Sequence, residues 1–136
     1  MATKASVEVA TLKVVKAFDK KYEKSLLPVM KTAAERAIKG SSSMQLGANP
    51  RFAIDISVTS LTCTKDEKSA TLEAKVSMSV ADNASMFGFP SGGGKVPNAN
   101  LKKLDDDVEA LEESIITDLV ADKVSKAVAD RVKKMP

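Results

Sequence analysis

Gly92-Gly93-Gly94-Lys95 is the stretch of this chain that most invites a chemical reading. Glycine runs ending in Lys can cradle a phosphate with backbone N–H groups, provided that the spacing is right and a helix follows. Here it is not right. Counting back from Gly94-Lys95 puts Phe89 where the first glycine of a phosphate loop belongs. Val96 stands in place of the hydroxyl residue, and Pro97 follows where the helix should open. A flexible linker is the expected role of the run.

Other candidate chemistries meet similar obstacles. The chain has no His, which removes the commonest general base, the usual partner of a Ser or Cys nucleophile and the commonest transition-metal ligand. The single Cys63 can form neither an internal disulfide nor a thiolate metal site by itself. Lys65 and Lys68 are near it in sequence, but nothing supplies a base to make it a nucleophile. No Ser-x-x-Lys spacing occurs in a helical context. Asp105, Asp106, Asp107, Glu109, Glu112 and Glu113 could suggest a cation site. Consecutive Asp residues on a helix point in different directions, however, and no calcium-loop pattern surrounds them, so they read as favourable charge at a helix start. These residues imply no catalytic group, no cofactor and no metal, and the chain is expected not to be an enzyme.

Binding is a better prospect. Met86, Phe87 and Phe89 lie in a Gly/Pro-rich stretch and are the candidate partner-binding residues. Apolar side chains on such a loop either fold back against the domain or stay exposed for a partner, and exposed clusters mark interaction sites. Nucleic acid is not expected as that partner. The 21 basic residues exceed the 18 acidic by only three, and Lys13, Lys16, Lys20, Lys21 and Lys24 have no interleaved aromatics.

The elements that must position these residues follow from periodicity. Ala70, Leu72, Ala74, Val76, Met78 and Val80 alternate with polar or charged residues, as in a strand with one buried face. Phe52, Ile54, Ile56 and Val58 do the same, and the short link at 64–68 predicts an antiparallel hairpin. Leu26, Leu27, Met30, Ala33, Ala34, Ala37 and Ile38 recur at helical spacing. A helix over 25–39 follows, with Ser25 as its cap, Pro28 in its first turn and Gly40 at its stop. Residues 7–18 allow either a strand or a helix. The strand is favoured, with a bulge near Ala10, because Val7 and Val9 sit on one parity and Leu12 and Val14 on the other. Leu101, Leu104, Val108, Leu111, Ile115 and Leu119 predict a long terminal helix over roughly 101–134, with a first turn beginning nearer Asp105 as an equal alternative.

The expected fold is therefore α+β, in the order β-α-β-β-α: a two-layer sandwich with a three-stranded sheet and two helices on one face. At 136 residues the chain fits a single domain over 1–136. A long Gly/Pro-rich loop at 81–100 would separate the hairpin from the last helix. No apolar run approaches the roughly 18 residues of a membrane span. The first residues lack the apolar core of a signal peptide, so the expected compartment is cytoplasmic. The alternative is periplasmic or envelope-associated, if a leader has been removed.

The phrase Phe52-Ala-Ile-Asp-Ile-Ser-Val-Thr-Ser-Leu, followed by a charged turn and Ala74-Lys-Val-Ser-Met-Ser-Val, resembles bacterial envelope accessory domains of the CsgG/LpoB-like kind. Ser85-Met-Phe-Gly-Phe-Pro-Ser-Gly-Gly is similar to a loop in uncharacterised deltaproteobacterial proteins. The likeness covers roughly residues 45–135. It implies a non-enzymatic role in assembly or partner binding. The expectation is thus a structural or interaction domain that self-associates, with a small apolar-ligand-binding module as the alternative.

Overall fold

Period-two alternation builds the centre of the sheet. In the computed structural model, which describes residues 4–134, strand β3 (Phe52–Lys65) and strand β4 (Ala70–Ala81) form the expected antiparallel hairpin. Ala70, Leu72, Ala74, Val76, Met78 and Val80 are all buried, while Glu73 and Lys75 between them are exposed. In β3 the register shifts between Val58 and Ser60. That shift moves the inward parity from Phe52, Ile54, Ile56 and Val58 to Leu61. Cys63 shares the new parity and is only partly exposed.

Strand β1 (Ala5–Val14) settles the ambiguous N-terminal stretch as a strand, parallel to β3. Its register breaks between Val9 and Thr11, where the exchange of hydrophobic parity requires a bulge. Ala5 and Val7 are buried before the break, and Val14 after it.

Helix α1 (Tyr22–Lys39) begins earlier than the periodicity suggests. Asp19 opens the turn, accepting from Lys21 N at 3.0 Å. Ser25 is therefore not the cap. Its N–H already donates to Lys21 O within the helix, and Pro28 lies in the second turn, not the first. Leu26, Met30, Ala33, Ala34 and Ile38 are buried, and Gly40 ends the helix as expected.

The sheet corrects the three-stranded sandwich. It has six strands in a mixed sheet, ordered β2-β1-β3-β4-β5, with β6 also paired to β4. Strand β2 (Met44–Leu46) is a short edge parallel to β1. The other two strands, β5 (Met86–Gly88) and β6 (Ser91–Ala99), come from the stretch read as a loop. Both run antiparallel along the same side of β4, and Met78 N donates to Pro90 O between them. Residues 86–99 are thus one edge strand interrupted at Phe89-Pro90.

Glycine explains why this strand has no hydrophobic signature. A Cβ on Gly94 would stand 3.0 Å from Leu111 Cδ1 and 3.2 Å from Ile115 Cγ1, and one on Gly92 would stand 3.1 Å from Leu119 Cδ2. The bare backbone of β6 is the floor on which the terminal helix rests. That helix begins with a 3-10 turn (Leu101–Lys103), continues as α2 (Leu104–Asp118), widens through a π-helical turn (Leu119–Val124) and ends as α3 (Ser125–Lys134). Leu111, Ile115 and Leu119 form its stripe toward β6. Val108, Ile116, Val120, Val124 and Val128 join the same core as α1 and the sheet.

Candidate functional site

The candidate partner residues stand where the edge strand breaks, and they do not act as a unit. Met86 and Phe89 are 57% and 70% exposed. Phe87 is half-buried: its ring meets Phe52 edge-on at 5.5 Å between centroids, and the Arg131 guanidinium lies 5.3 Å from its centroid. One member of the trio therefore anchors the strand to the domain, while the other two face outward.

The anchor has a second tie. The turn between β4 and β5 is held by Asp82, whose carboxylate accepts from Ala84 N and Ser85 N at 2.8 and 2.9 Å. Its other oxygen takes two charge-assisted contacts of 2.9 Å from Arg131, through Nε and a terminal nitrogen. The two backbone N–H groups and, after them, Arg131 hold the Asp82 carboxyl below the usual carboxylate range. Arg131 thus joins α3, the turn and the Phe87 ring. Asp82-Asn83 was the available sequence signal for this turn, since Asx side chains close turns on their own backbone.

Next to this tie, an open groove of about 500 Å³ runs between the strand break and α3. Phe87, Gly88, Phe89 and Pro90 form one wall. The other is Lys123, Lys126, Ala127, Asp130, Arg131 and Lys134. Four cations and one carboxylate leave the groove basic, beside the exposed Phe89 ring. Lys123 is partly committed, because its Nζ donates to Ser91 O at 2.9 Å. The arrangement can grip an acidic surface with an apolar contact at its margin. It contains no pairing of nucleophile and base.

Two features were not legible as site chemistry in the sequence. Glu112, read with the acidic run as charge at a helix start, is fully buried and neither carboxylate oxygen has a hydrogen-bond partner. Burial alone raises its pKa to about 7. Asp105, from the same run, accepts from Tyr22 Oη at 2.6 Å and pairs with Lys21 at 2.9 Å. Asp106 and Asp107 lie in the first turn of α2, where Asp107 accepts from Asn100 N at 2.9 Å, while Glu113 further along pairs with Arg36 of α1 at 3.5 Å.

No family model matches the chain, and no curated protein sequence matches it. Solved structures do share its fold. A hypothetical protein from Chlamydia trachomatis superposes with a TM-score of 0.71 at 12% identity, covering 94% of this chain and 99% of that one. A PelC dodecamer from Paraburkholderia phytofirmans gives 0.59 at 12% identity, covering 89% of each chain. A minor lipoprotein from Acinetobacter baumannii gives 0.50 at 13% identity, covering 96% of each. At such identities the likeness shows the fold alone. One of these structures is a bacterial lipoprotein. They do not carry the narrower resemblance to CsgG/LpoB-like domains or to deltaproteobacterial proteins.

Proposed function

We propose that this chain is a non-enzymatic structural domain of the bacterial envelope that self-associates through the broken edge strand. The observation that carries this reading is the exposure of Met86 and Phe89 on an edge of the sheet whose neighbouring Phe87 is tied down. Two large apolar side chains held at an ordered edge lose little freedom on docking, and sheet edges are natural places for chains to add to one another. The PelC structure, a dodecamer on the same fold, supports an assembly role. The lipoprotein structure supports the envelope location over the cytoplasm. No helix among the described residues is long and apolar enough to cross a membrane.

Light scattering on the wild type and on Met86→Ser with Phe89→Ser tests the assembly. The wild type should be an oligomer, and the double variant should lose mass while remaining folded by circular dichroism. A wild type that stays monomeric at high concentration overturns the reading. Fractionation of the native cells should recover the protein with the envelope, and recovery in the cytosol would overturn that location. An apolar-ligand module gains no support from the region where α2 meets β6, since Leu111, Ile115 and Leu119 rest directly on the glycines.

A further inference from the structure

Glu112 is the anomaly of the core. Among the described residues it is the one charged side chain that is fully buried, and neither carboxylate oxygen has a hydrogen-bond partner. Folded proteins leave few buried polar groups unsatisfied, because each costs stability. Glu112 lies on α2 one turn from Val108 and from Ile116, both buried, so helical phase turns it into the core. No cation waits for it there. The elements packed against α2 are α1, β4, β6, the 3-10 turn and the π-helical turn. The inward side chains of β4, from Ala70 to Val80, are apolar, and β6 offers the helix Gly92 and Gly94. Glu73 and Lys75 of β4 and Lys95 of β6 are exposed. From α1, Tyr22 donates to Asp105, while Lys21 and Arg36 stand at the surface, paired with Asp105 and Glu113. Lys102 and Lys103 of the 3-10 turn are exposed, as are Asp122 and Lys123 of the π-helical turn. Glu109 and Glu113, the nearest charges on α2 itself, have the same sign. An ionised Glu112 therefore meets neither a cation nor a donor.

The terminal helix is also unevenly fastened. α2 rests on β6 over glycines, and its ion pairs with Lys21 and Arg36 are exposed pairs of the kind that hold little. Its firmest polar tie, from Tyr22 Oη to Asp105 at 2.6 Å, is in its first turn. Beyond α2 the fastening is closer. Lys123 Nζ donates to Ser91 O, Ser125 Oγ lies 2.8 Å from Ser43 Oγ, and Arg131 grips Asp82. The π-helical turn at Leu119–Val124 stands between the two parts, and such turns are where long helices bend. We propose that Glu112 is a proton-controlled latch on this helix. Neutral, it lets α2 rest on β6 and α1. Ionised, it raises the frequency with which α2 swings away about the π-helical turn while α3 stays fastened. The swing brings the carboxylate to water and uncovers the glycine floor of β6. Proton release favours the open form because a carboxyl ionises more readily in water than in an apolar core. Opening thus becomes more frequent as pH rises from about 4.5, and it levels off above about 7. The latch is independent of the assembly proposed above.

Hydrogen exchange on the full chain tests the latch, read by mass spectrometry for each segment and corrected for the intrinsic pH dependence of amide exchange. Between pH 5 and pH 8 the wild type should open α2 on the order of 50-fold more often. Over the same range α3 and the β3–β4 hairpin should keep their protection. Glu112→Gln and Glu112→Leu carry no charge at either pH, and both should abolish the change in α2. The leucine variant serves if a buried amide prevents the first from folding. A wild-type α2 whose corrected exchange does not vary with pH overturns the latch. A pH response that survives in the variants overturns it too, since another group would then be responsible. Protection lost equally from α2, α3 and the hairpin also overturns it, because Glu112 would then weaken the whole fold and not release one helix.

Discussion

A Cβ placed on Gly94 would stand 3.0 Å from Leu111 Cδ1, closer than neighbouring side chains normally tolerate. The terminal helix therefore packs on β6 by using the space that a side chain would take. Gly94→Val should push Leu111 and Ile115 off their positions and cost about 1–3 kcal/mol, the usual range for overpacking a filled core. Denaturant unfolding monitored by circular dichroism measures it. A variant as stable as the wild type would mean that the helix rides higher than described.

Burial of Glu112 makes stability fall as pH rises between about 4.5 and about 7. Its pKa rises from 4.5 to about 7 on folding because burial disfavours the charged form. The protonated group is thus favoured in the folded state. Its contribution is fully present below the unfolded value of 4.5 and is lost as pH rises toward 7, on the order of 3 kcal/mol in all. Glu112→Gln should unfold at higher denaturant than the wild type at pH 8, with the difference disappearing near pH 4. Parallel unfolding curves at the two pH values would remove Glu112 as the cause.

Tyr22 is the only tyrosine in a chain without tryptophan, so phenolate absorbance reports on it alone. Burial first, and then the hydrogen bond to Asp105, push its pKa well above the ordinary value. In the folded wild type the phenolate should fail to appear at the pH where free tyrosine ionises. Asp105→Asn should lower the transition without restoring it to the free value, because burial remains. An unchanged titration in the variant would show that the carboxylate has no hold on the ring.

Phe87 and Phe89 should separate cleanly. Phe87→Ala removes the contact with Phe52 and the ring beneath Arg131, and should destabilise by roughly 2 kcal/mol for a half-buried aromatic. Phe89→Ala exposes nothing further and should stay within about 0.5 kcal/mol of the wild type. Thermal or denaturant unfolding of the two variants makes the comparison. Equal losses would contradict the division between anchor and exposed tip.

The sequence by itself determined the α+β character, the central hairpin and the two helical segments. Each of these buries an apolar face, and burial writes its period directly into residue type. Residues 7–18 fitted a helix as well as a bulged strand, and pairing with β3 decided for the strand, with its break between Val9 and Thr11. The edge strands left no such record. β6 is recognised by the ladder that it makes with β4 and by the helix that lies on it, and Gly92 and Gly94 contribute only the absence of a side chain. Glycine reads the same in a mobile loop and in a strand that another element must approach closely. Only the tertiary structure could divide Met86, Phe87 and Phe89 into one anchor and two exposed groups, because Phe52 and Arg131 lie 35 and 44 positions away from Phe87 in the chain. The same holds for Glu112, whose neighbours Leu111 and Glu113 gave no sign of which carboxylate would turn inward. Helical phase decides that, and the packing of α2 on β6 and α1 sets the phase.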